Sequence, residues 1–581
     1  MKKSKIIPLM LSLAMGLSAC GSSSDTDAKT SGEGTGKGHK GDITATVDFD
    51  GDNIKSIETV HNETEGLGDK AIDKLTDEMV ENNTVKVDTV SGATYSSVGF
   101  IEAVTAAIKD SGRDVKNFEK EAEAKEQKDS TQDADVVVVG GGGAGFAAAV
   151  TAKENGANVV LLEKMPQTGG NTLISGGEMA APENELQEKE GIEDSKELFA
   201  DDVKEAGGDP ELIDTLADKA TDGAYWLRDE IGVKWLDNLM FFGGHSVKRS
   251  LIPEGHSGNE LIKNYLNKCE ELGIDVITDA DVKEILSENN KVTGIKAETP
   301  DGELTINAKS VVLATGGFGA NEDMTYEYDH EIDEHVKSTN APGATGDGIL
   351  MAEKLGADTV DMDQIQLYPI CDVDTGRILY TGDTRLVGGA LLVNKEGDRF
   401  VEELGTRREI SLAIKAQTDH VGYLLWDEKS NEETGTMESN PDEAEEEFEK
   451  GNLYKADTIE ELAEHFDIDK DELLKTVETF NENSKKEEDP DFNLRMLGWT
   501  VEEGPFYMLK AAPAVHHTMG GLKINKEAEV LNKDGEWIEG LYAAGEVTGG
   551  IHGSNRLGSA AIADITVFGR IAGENAANNA K

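Results

Sequence analysis

One run of residues, Asp135-Val136-Val137-Val138-Val139-Gly140-Gly141-Gly142-Gly143-Ala144-Gly145, constrains this chain more than any other. Four consecutive valines suit a parallel strand buried on both faces. The glycines behind them stand in the G-x-G-x-x-G register at Gly140, Gly142 and Gly145. Such a strand, turn and helix lets backbone N–H groups approach a pyrophosphate at a helix N-terminus. A second apolar strand, Asn158-Val159-Val160-Leu161-Leu162, closes on Glu163, 18 residues beyond Gly145, where an acid accepts ribose hydroxyl bonds. The pattern predicts a doubly wound, Rossmann-like α/β domain holding a dinucleotide on Gly140, Gly142, Gly143, Ala144, Gly145, Glu163 and Lys164.

At roughly 100–200 residues per domain, the 581 residues predict three to five compact units. Fifty-six Lys and Arg stand against 115 Asp and Glu, a formal charge of −59 that repels phosphate backbones and argues against nucleic-acid partners. Three cysteines, Cys20, Cys269 and Cys371, are too few for a disulfide framework or a four-thiolate metal site, and no metal site is expected. No Cys-x-x-Cys-His occurs, so no c-type haem is encoded. Lys2, Lys3 and Lys5 precede the apolar run from Ile6 to Leu17, and Leu17-Ser18-Ala19-Cys20 follows. This predicts a lipoprotein signal peptide over 1–19 and lipid on Cys20, placing the protein on the outer face of the cytoplasmic membrane. The alternative, a short membrane anchor, meets the difficulty that spanning a bilayer takes about 20 apolar residues.

Further boundaries follow from composition. Residues 20–42 read as a Gly/Ser/Thr tether, 43–111 as a small α+β unit, and 112–133 as a charged linker. The dinucleotide domain is expected over 134–363 and again over 516–581, where glycine-rich strand-turn-helix sequence returns. An inserted α+β lobe is expected over 364–515, its acid run Ser430–Lys450 reading as a solvated face.

Three segments, Gly169-Gly170-Asn171-Thr172, Ala314-Thr315-Gly316-Gly317 and Ala543-Ala544-Gly545-Glu546, resemble the FAD-contacting motifs of the fumarate reductase and succinate dehydrogenase flavoproteins. The resemblance implies FAD, held without a covalent bond, and adds Ser175, Gly176, Gly177, Asp347, Arg556, Ser559, Ala560 and Ile562 to its contacts. Asp88-Thr89-Val90-Ser91-Gly92-Ala93-Thr94 resembles the D-x-x-[ST]-G-A-[ST] motif of FMN-binding domains, which implies FMN attached through its phosphate to Thr94. Read from residues alone, Ser-Gly-Ala-Thr is equally an ordinary turn before a helix.

From Asp135 onward the chain resembles flavocytochrome c-type fumarate reductases and their relatives, urocanate reductases among them. The motifs that carry this are Ala341-Pro342-Gly343-Ala344-Thr345-Gly346-Asp347-Gly348, Ala512-Pro513-Ala514-Val515-His516-His517-Thr518-Met519-Gly520-Gly521 and His552-Gly553-Ser554-Asn555-Arg556-Leu557-Gly558. The resemblance implies reduction of an enoate: Arg407 as proton donor, His517 and Arg556 as the carboxylate clamp, and Asp383, Arg385 and Arg408 as candidates for reprotonating Arg407. Where the fumarate enzymes read Gln-Ala-His-Pro this chain has Gln366-Leu367-Tyr368-Pro369, and where they read Thr-Glu it has Gly382-Asp383. Tyr368 and Asp383 resemble the pair with which urocanate reductases meet an imidazole; alternatively Asp383 is a relay acid and says nothing about the substrate. Phe241 and Phe242 either flank a flat ring or pack in the core. The function expected is reduction of urocanate, or else of fumarate or another enoate, with electrons from a membrane or extracellular flavin- or quinone-linked donor. A flavin-carrying electron shuttle and a solute-binding lipoprotein are the alternatives from other classes.

Overall fold

The computed structural model describes residues 29–63, 68–87, 89–90, 93–120, 128–387 and 389–581. The expected signal peptide and Cys20 lie outside these residues, as do Asp88, Ser91 and Gly92 and the side chain of Thr94. The chain divides into two compact units, Met1–Ala124 and Lys125–Lys581, fewer than length alone suggests because the inserted lobe shares a strand with the domain it interrupts.

In the smaller unit, strands β1 (Ser31–Lys37), β2 (Asp42–Asp50) and β3 (Asn53–Val60) form an antiparallel sheet against helices α1 (Gly68–Asn82) and α2 (Thr94–Asp110). Ile43, Ala45 and Val47 of β2 share a buried core with Phe100, Val104 and Ala107 of α2. The expected tether over 20–42 is corrected here, because β1 runs through its Gly-rich part. Glycines alternate along β1, and a Cβ on Gly32, Gly34 or Gly36 would stand 2.0, 2.3 and 2.0 Å from the carbonyl oxygens of Ala107, Ala103 and Gly99 of α2. These glycines allow helix backbone to lie directly on strand backbone. The expected linker 112–133 is corrected too. Phe118 is buried in the small unit's core and its carbonyl accepts from Val85 N (2.7 Å), whereas β4 (Ser130–Asp133) pairs in parallel with Gly302–Asn307 of the larger unit.

The larger unit opens with β5 (Val136–Val139), α3 (Gly143–Glu154) and β6 (Val159–Leu162), the expected strand-turn-helix-strand. Parallel strands run in the order Asp275–Ile277, β6, β5, Ser310–Leu313, Trp537–Ala543, so the C-terminal segment completes the sheet begun at Val136. Every residue of β5 and β6 is buried, which is why both read as unbroken apolar runs. The C-terminal helix Ala560–Ala580 packs across α3, where Gly569 and Gly573 leave no room for a Cβ against Ala144 O (2.7 Å) and Ala148 O (2.2 Å).

The inserted lobe is built around one long strand, Phe506–Thr518, flanked by Gly422–Asp427, Leu453–Ala456 and Ile365–Cys371. This strand crosses the boundary expected after Val515, and Lys337–Ser338 from before the expected start of the lobe joins it in parallel. The acid run is not simply a solvated face. Glu447 is fully buried, and Glu443 accepts from the backbone N–H groups of Tyr380 (3.1 Å) and Thr381 (2.7 Å). No helix among the described residues is long and apolar enough to cross a membrane.

Candidate active site

The dinucleotide loop has the geometry its glycines predict. Gly140 adopts φ +108°, and a Cβ on Gly145 would lie 1.9 Å from Gly140 O, so α3 starts tight against β5. Glu163 is buried, accepts from Gly141 N and Met165 N (both 2.8 Å), and is pushed up by burial against the pull of those donors. Lys164 pairs with Asp347 and donates to Thr345 Oγ1 (2.6 Å). Thr172 Oγ1 accepts from Gly143 N (3.2 Å); Ser175 Oγ donates to Thr172 O (2.8 Å) and accepts from Gly177 N (3.2 Å), keeping Gly176 in a tight turn.

Asn171 joins distant parts of the chain, donating to Asn340 Oδ1 (2.6 Å) and Glu546 Oε2 (3.1 Å) and accepting from Ala341 N (2.7 Å). Gly169 and Gly170 both have positive φ, as does Gly316. Ser559 precedes Ala560 at the start of the C-terminal helix, with Ile562 buried one turn in. The hydroxyl of Thr315, beside Ala314, is buried with no partner. Two helix starts, the buried acid Glu163 and the orphaned hydroxyl of Thr315 fit a bound FAD.

In the small unit Thr94 is the first residue of α2, a helix of 17 residues. Glu63 caps the neighbourhood, accepting from Ser96 Oγ, Lys40 N (3.0 Å) and His39 N (3.3 Å), and His39 stacks on the exposed ring of Tyr95. A phosphate on Thr94 would stand at a helix N-terminus, the place where N–H groups and the helix dipole favour it.

The expected catalytic residues meet around Gln366. Register sets this up: on strand Ile365–Cys371, Gln366 pairs with His517 and Tyr368 with Ala514 of the long strand. Arg407 opens helix Arg407–Lys415 behind a Thr406/Glu409 capping box, and its Nη1 donates to Gln366 Oε1 (3.1 Å). Arg556 Nη2 donates to the same oxygen (3.0 Å), while Gln366 Nε2 donates to Arg556 O and Asn555 Oδ1 (both 3.0 Å). Gln366 thus takes one N–H from each guanidinium. It stood in the motif Gln366-Leu367-Tyr368-Pro369 but sequence reasoning gave it no role. Burial and the neighbouring Arg407 charge pull Arg556 down to about 9. Its Nε, and Nδ1 of His517, are buried without partners. Burial and the Arg556 charge hold His517 well below its usual range, so it acts as a neutral imidazole.

Tyr368 is buried, lies under the Arg407 guanidinium at 5.0 Å from ring centroid to Cζ, and donates its hydroxyl to Asp383 Oδ1 (2.9 Å). Asp383, on the 3-10 segment Tyr380–Val387 that Glu443 caps, is raised by burial against the pull of Arg385 and of the Tyr368 hydroxyl. Arg385 is buried and donates to Glu403 O (3.0 Å). Arg408 is the correction among the relay candidates. One residue on from Arg407, it points away from the pocket to Asp329 (2.6 Å) and Glu331 (2.8 Å). Phe241 is exposed, and Phe242 lies against Gly558, where a Cβ would meet its ring at 2.5 Å; neither is a core residue. A further acid, Glu178, was missed: burial raises its carboxyl, and the charge of Asp383 adds to the rise. Its position directly after Ser175-Gly176-Gly177 was the available signal.

An FAD-binding-domain family model matches residues 135–562, and an FMN-binding-domain model matches residues 38–109. A urocanate reductase of Eggerthella lenta is 46% identical over 573 residues, covering 96% of this chain and 95% of that protein. The chain belongs to the urocanate and fumarate reductase family of flavoproteins. A cytochrome-type fumarate reductase of Shewanella frigidimarina is 38% identical over 462 residues, 77% of each chain. The open conformation of a flavocytochrome c3 fumarate reductase superposes with a TM-score of 0.71 at 38% identity, over 80% of this chain and 83% of that one. As a member of this family the protein is an FAD-dependent oxidoreductase with FAD and FMN as its cofactors. Its FMN unit begins earlier than the matched residues, at β1.

Proposed function

We propose that the protein reduces urocanate to dihydrourocanate. The observation that carries this is the pairing of two unpartnered buried groups, Arg556 Nε and His517 Nδ1, with a Tyr368–Asp383 hydrogen bond beyond them. The substrate carboxylate takes its N–H donors from Arg556 and from neutral His517, and these charge-assisted bonds draw electron density toward the carboxylate as the alkene is attacked. Reduced FAD, when bound, would supply a hydride for the β carbon. Arg407, held by Gln366 and by the face of Tyr368, delivers the proton to the α carbon, so two electrons and two hydrogens saturate one double bond. Asp383 with Tyr368 accepts an imidazole N–H, and Glu178 adds a second carboxyl that disfavours a dicarboxylate such as fumarate. A second reading is favoured by the proximity of Arg385 to Asp383: the acid reprotonates Arg407 and the substrate is fumarate or another enoate.

Oxidation of reduced methyl viologen by the flavin-loaded protein, with urocanate and fumarate side by side, separates the two. Turnover with urocanate alone is expected; turnover with fumarate alone makes Asp383 a relay acid and overturns the assignment. The reading also includes FMN on Thr94, passing electrons inward from a membrane or extracellular flavin- or quinone-linked donor, and a lipid on Cys20 that holds the protein on the outer face of the cytoplasmic membrane. Mass spectrometry of the peptides containing Thr94 and Cys20 tests both.

A further inference from the structure

We propose that Arg408 and Lys415 are positioning residues that hold Arg407 in catalytic register by gripping one acidic segment, Asp329–Asp333, from both ends of a single helix. This rests on the reading of Arg407 as proton donor. The helix Arg407–Lys415 is fixed within the lobe by apolar contacts, with Ile410 and Ile414 fully buried in a lobe core that also contains Tyr368 and Leu392. Its other side faces the segment that follows helix Glu322–Tyr328 in the dinucleotide part. At the first turn Arg408 Nη2 stands 2.6 Å from Asp329 Oδ2 and 2.8 Å from Glu331 Oε2, and its Nη1 donates to Ile365 O (3.4 Å), the residue before Gln366. At the last turn Lys415 Nζ donates to Glu331 O (2.6 Å) and pairs with Asp333 Oδ2 (2.7 Å). Just beyond, His420 stacks on His335 with ring centroids 3.9 Å apart.

Isolated surface ion pairs contribute little. These differ in being networked and partly enclosed: the side chains of Asp329 and Lys415 are 10% and 17% exposed. Burial raises Asp333, but the Lys415 and His335 donors outweigh it and hold its carboxyl below the ordinary range, so it is a carboxylate at neutral pH. A helix pinned at both ends cannot slide or tilt relative to the segment without parting one of the grips. Arg407 stands at the pinned N-terminus, next to Arg408. The grip therefore sets where the Arg407 guanidinium points with respect to the dinucleotide part of the molecule, which carries Arg556.

The test uses the full-length, flavin-loaded protein, with Arg408→Gln and Lys415→Gln singly and together and Lys415→Arg as the conservative control. The double variant is expected to lose about tenfold in kcat, equivalent to about 1.4 kcal/mol, with KM for the enoate within about twofold. Lys415→Arg should recover most of the loss. Added salt should depress kcat of the unsubstituted enzyme, a measurement that needs no variant to fold, and the folded double variant should lose this salt dependence. Amides of residues 410–415 should exchange faster in the double variant. A kcat within about twofold of the parent in the double variant, even with a lowered Tm, overturns the proposal and leaves the enoate reading standing. If the unsubstituted enzyme turns over while Arg407→Ala does so equally well, the reading of Arg407 falls and the catalytic register falls with it; the exchange data then still report whether the grip itself exists.

Discussion

Gln366 is the residue on which the pocket's electrostatics turn, because its amide oxygen is shared by Arg407 and Arg556. Two guanidiniums on one neutral oxygen repel each other, and the amide dipole offsets part of that repulsion. Gln366→Leu keeps the volume and removes the oxygen. It is expected to lower kcat/KM for the enoate by about 10²–10³, the range found when one preorganised polar contact at a reacting centre is removed, and steady-state kinetics check this. Asp383 gives a pH prediction. Its folded pKa lies above the ordinary 3.8 because burial outweighs Arg385 and Tyr368, so its contribution to stability is present below 3.8 and is lost as pH rises through the folded value. Asp383→Asn should therefore gain Tm relative to the parent on going from about pH 4 to about pH 7; thermal scans at the two pH values decide it, and a constant difference would contradict the raised pKa. At this scale Arg407, His517, Arg556, Tyr368 and Asp383 could be picked out in the sequence because each sits in a motif with family meaning. Gln366 and Glu178 could not, since a glutamine's role here comes from strand register and an acid's from a neighbour some 200 residues away in sequence.

Among the elements, β1 shows how composition misleads. Gly32, Gly34 and Gly36 look like tether because glycine is common in flexible segments, and only their period of two distinguishes a strand with one bare face. That face lies on the backbone of α2. Gly34→Val would drive a side chain into Ala103 O and should cost about 1–3 kcal/mol or more, as overpacking does. Loss of FMN content with FAD retained, read from flavin extraction of the full chain, is the expected outcome. The strand-turn-helix from Val136, by contrast, was legible in full, since four apolar residues, a glycine fingerprint and a closing acid agree with one another. The long strand Phe506–Thr518 was legible only in part. Its end carries the His516-His517 motif, but nothing in its sequence says that one strand serves two regions, so the boundary after Val515 fell within it.

For the whole molecule, the two compact units match two different flavin-binding families. Division of labour between them makes a prediction that neither unit tests alone. Thr94→Ala should abolish covalent FMN, keep FAD, and leave turnover driven by a small reduced dye within about threefold of the parent, because a dye reaches FAD without the relay, whereas turnover with a membrane-linked donor should fall by about 10² or more, the scale on which removing a group tied to one step is read. Equal losses with both donors would mean that the small unit supports the larger one structurally. The shared oxygen of Gln366 has one more consequence. Two converging cations and a neutral imidazole form a socket that recognises a carboxylate and nothing about the carbons attached to it. The saturated product of an enoate keeps that carboxylate, so it leaves the same socket that drew the substrate in, and the rate at which it lets go of Arg556 and His517 is a ceiling on turnover that no improvement in proton delivery can lift.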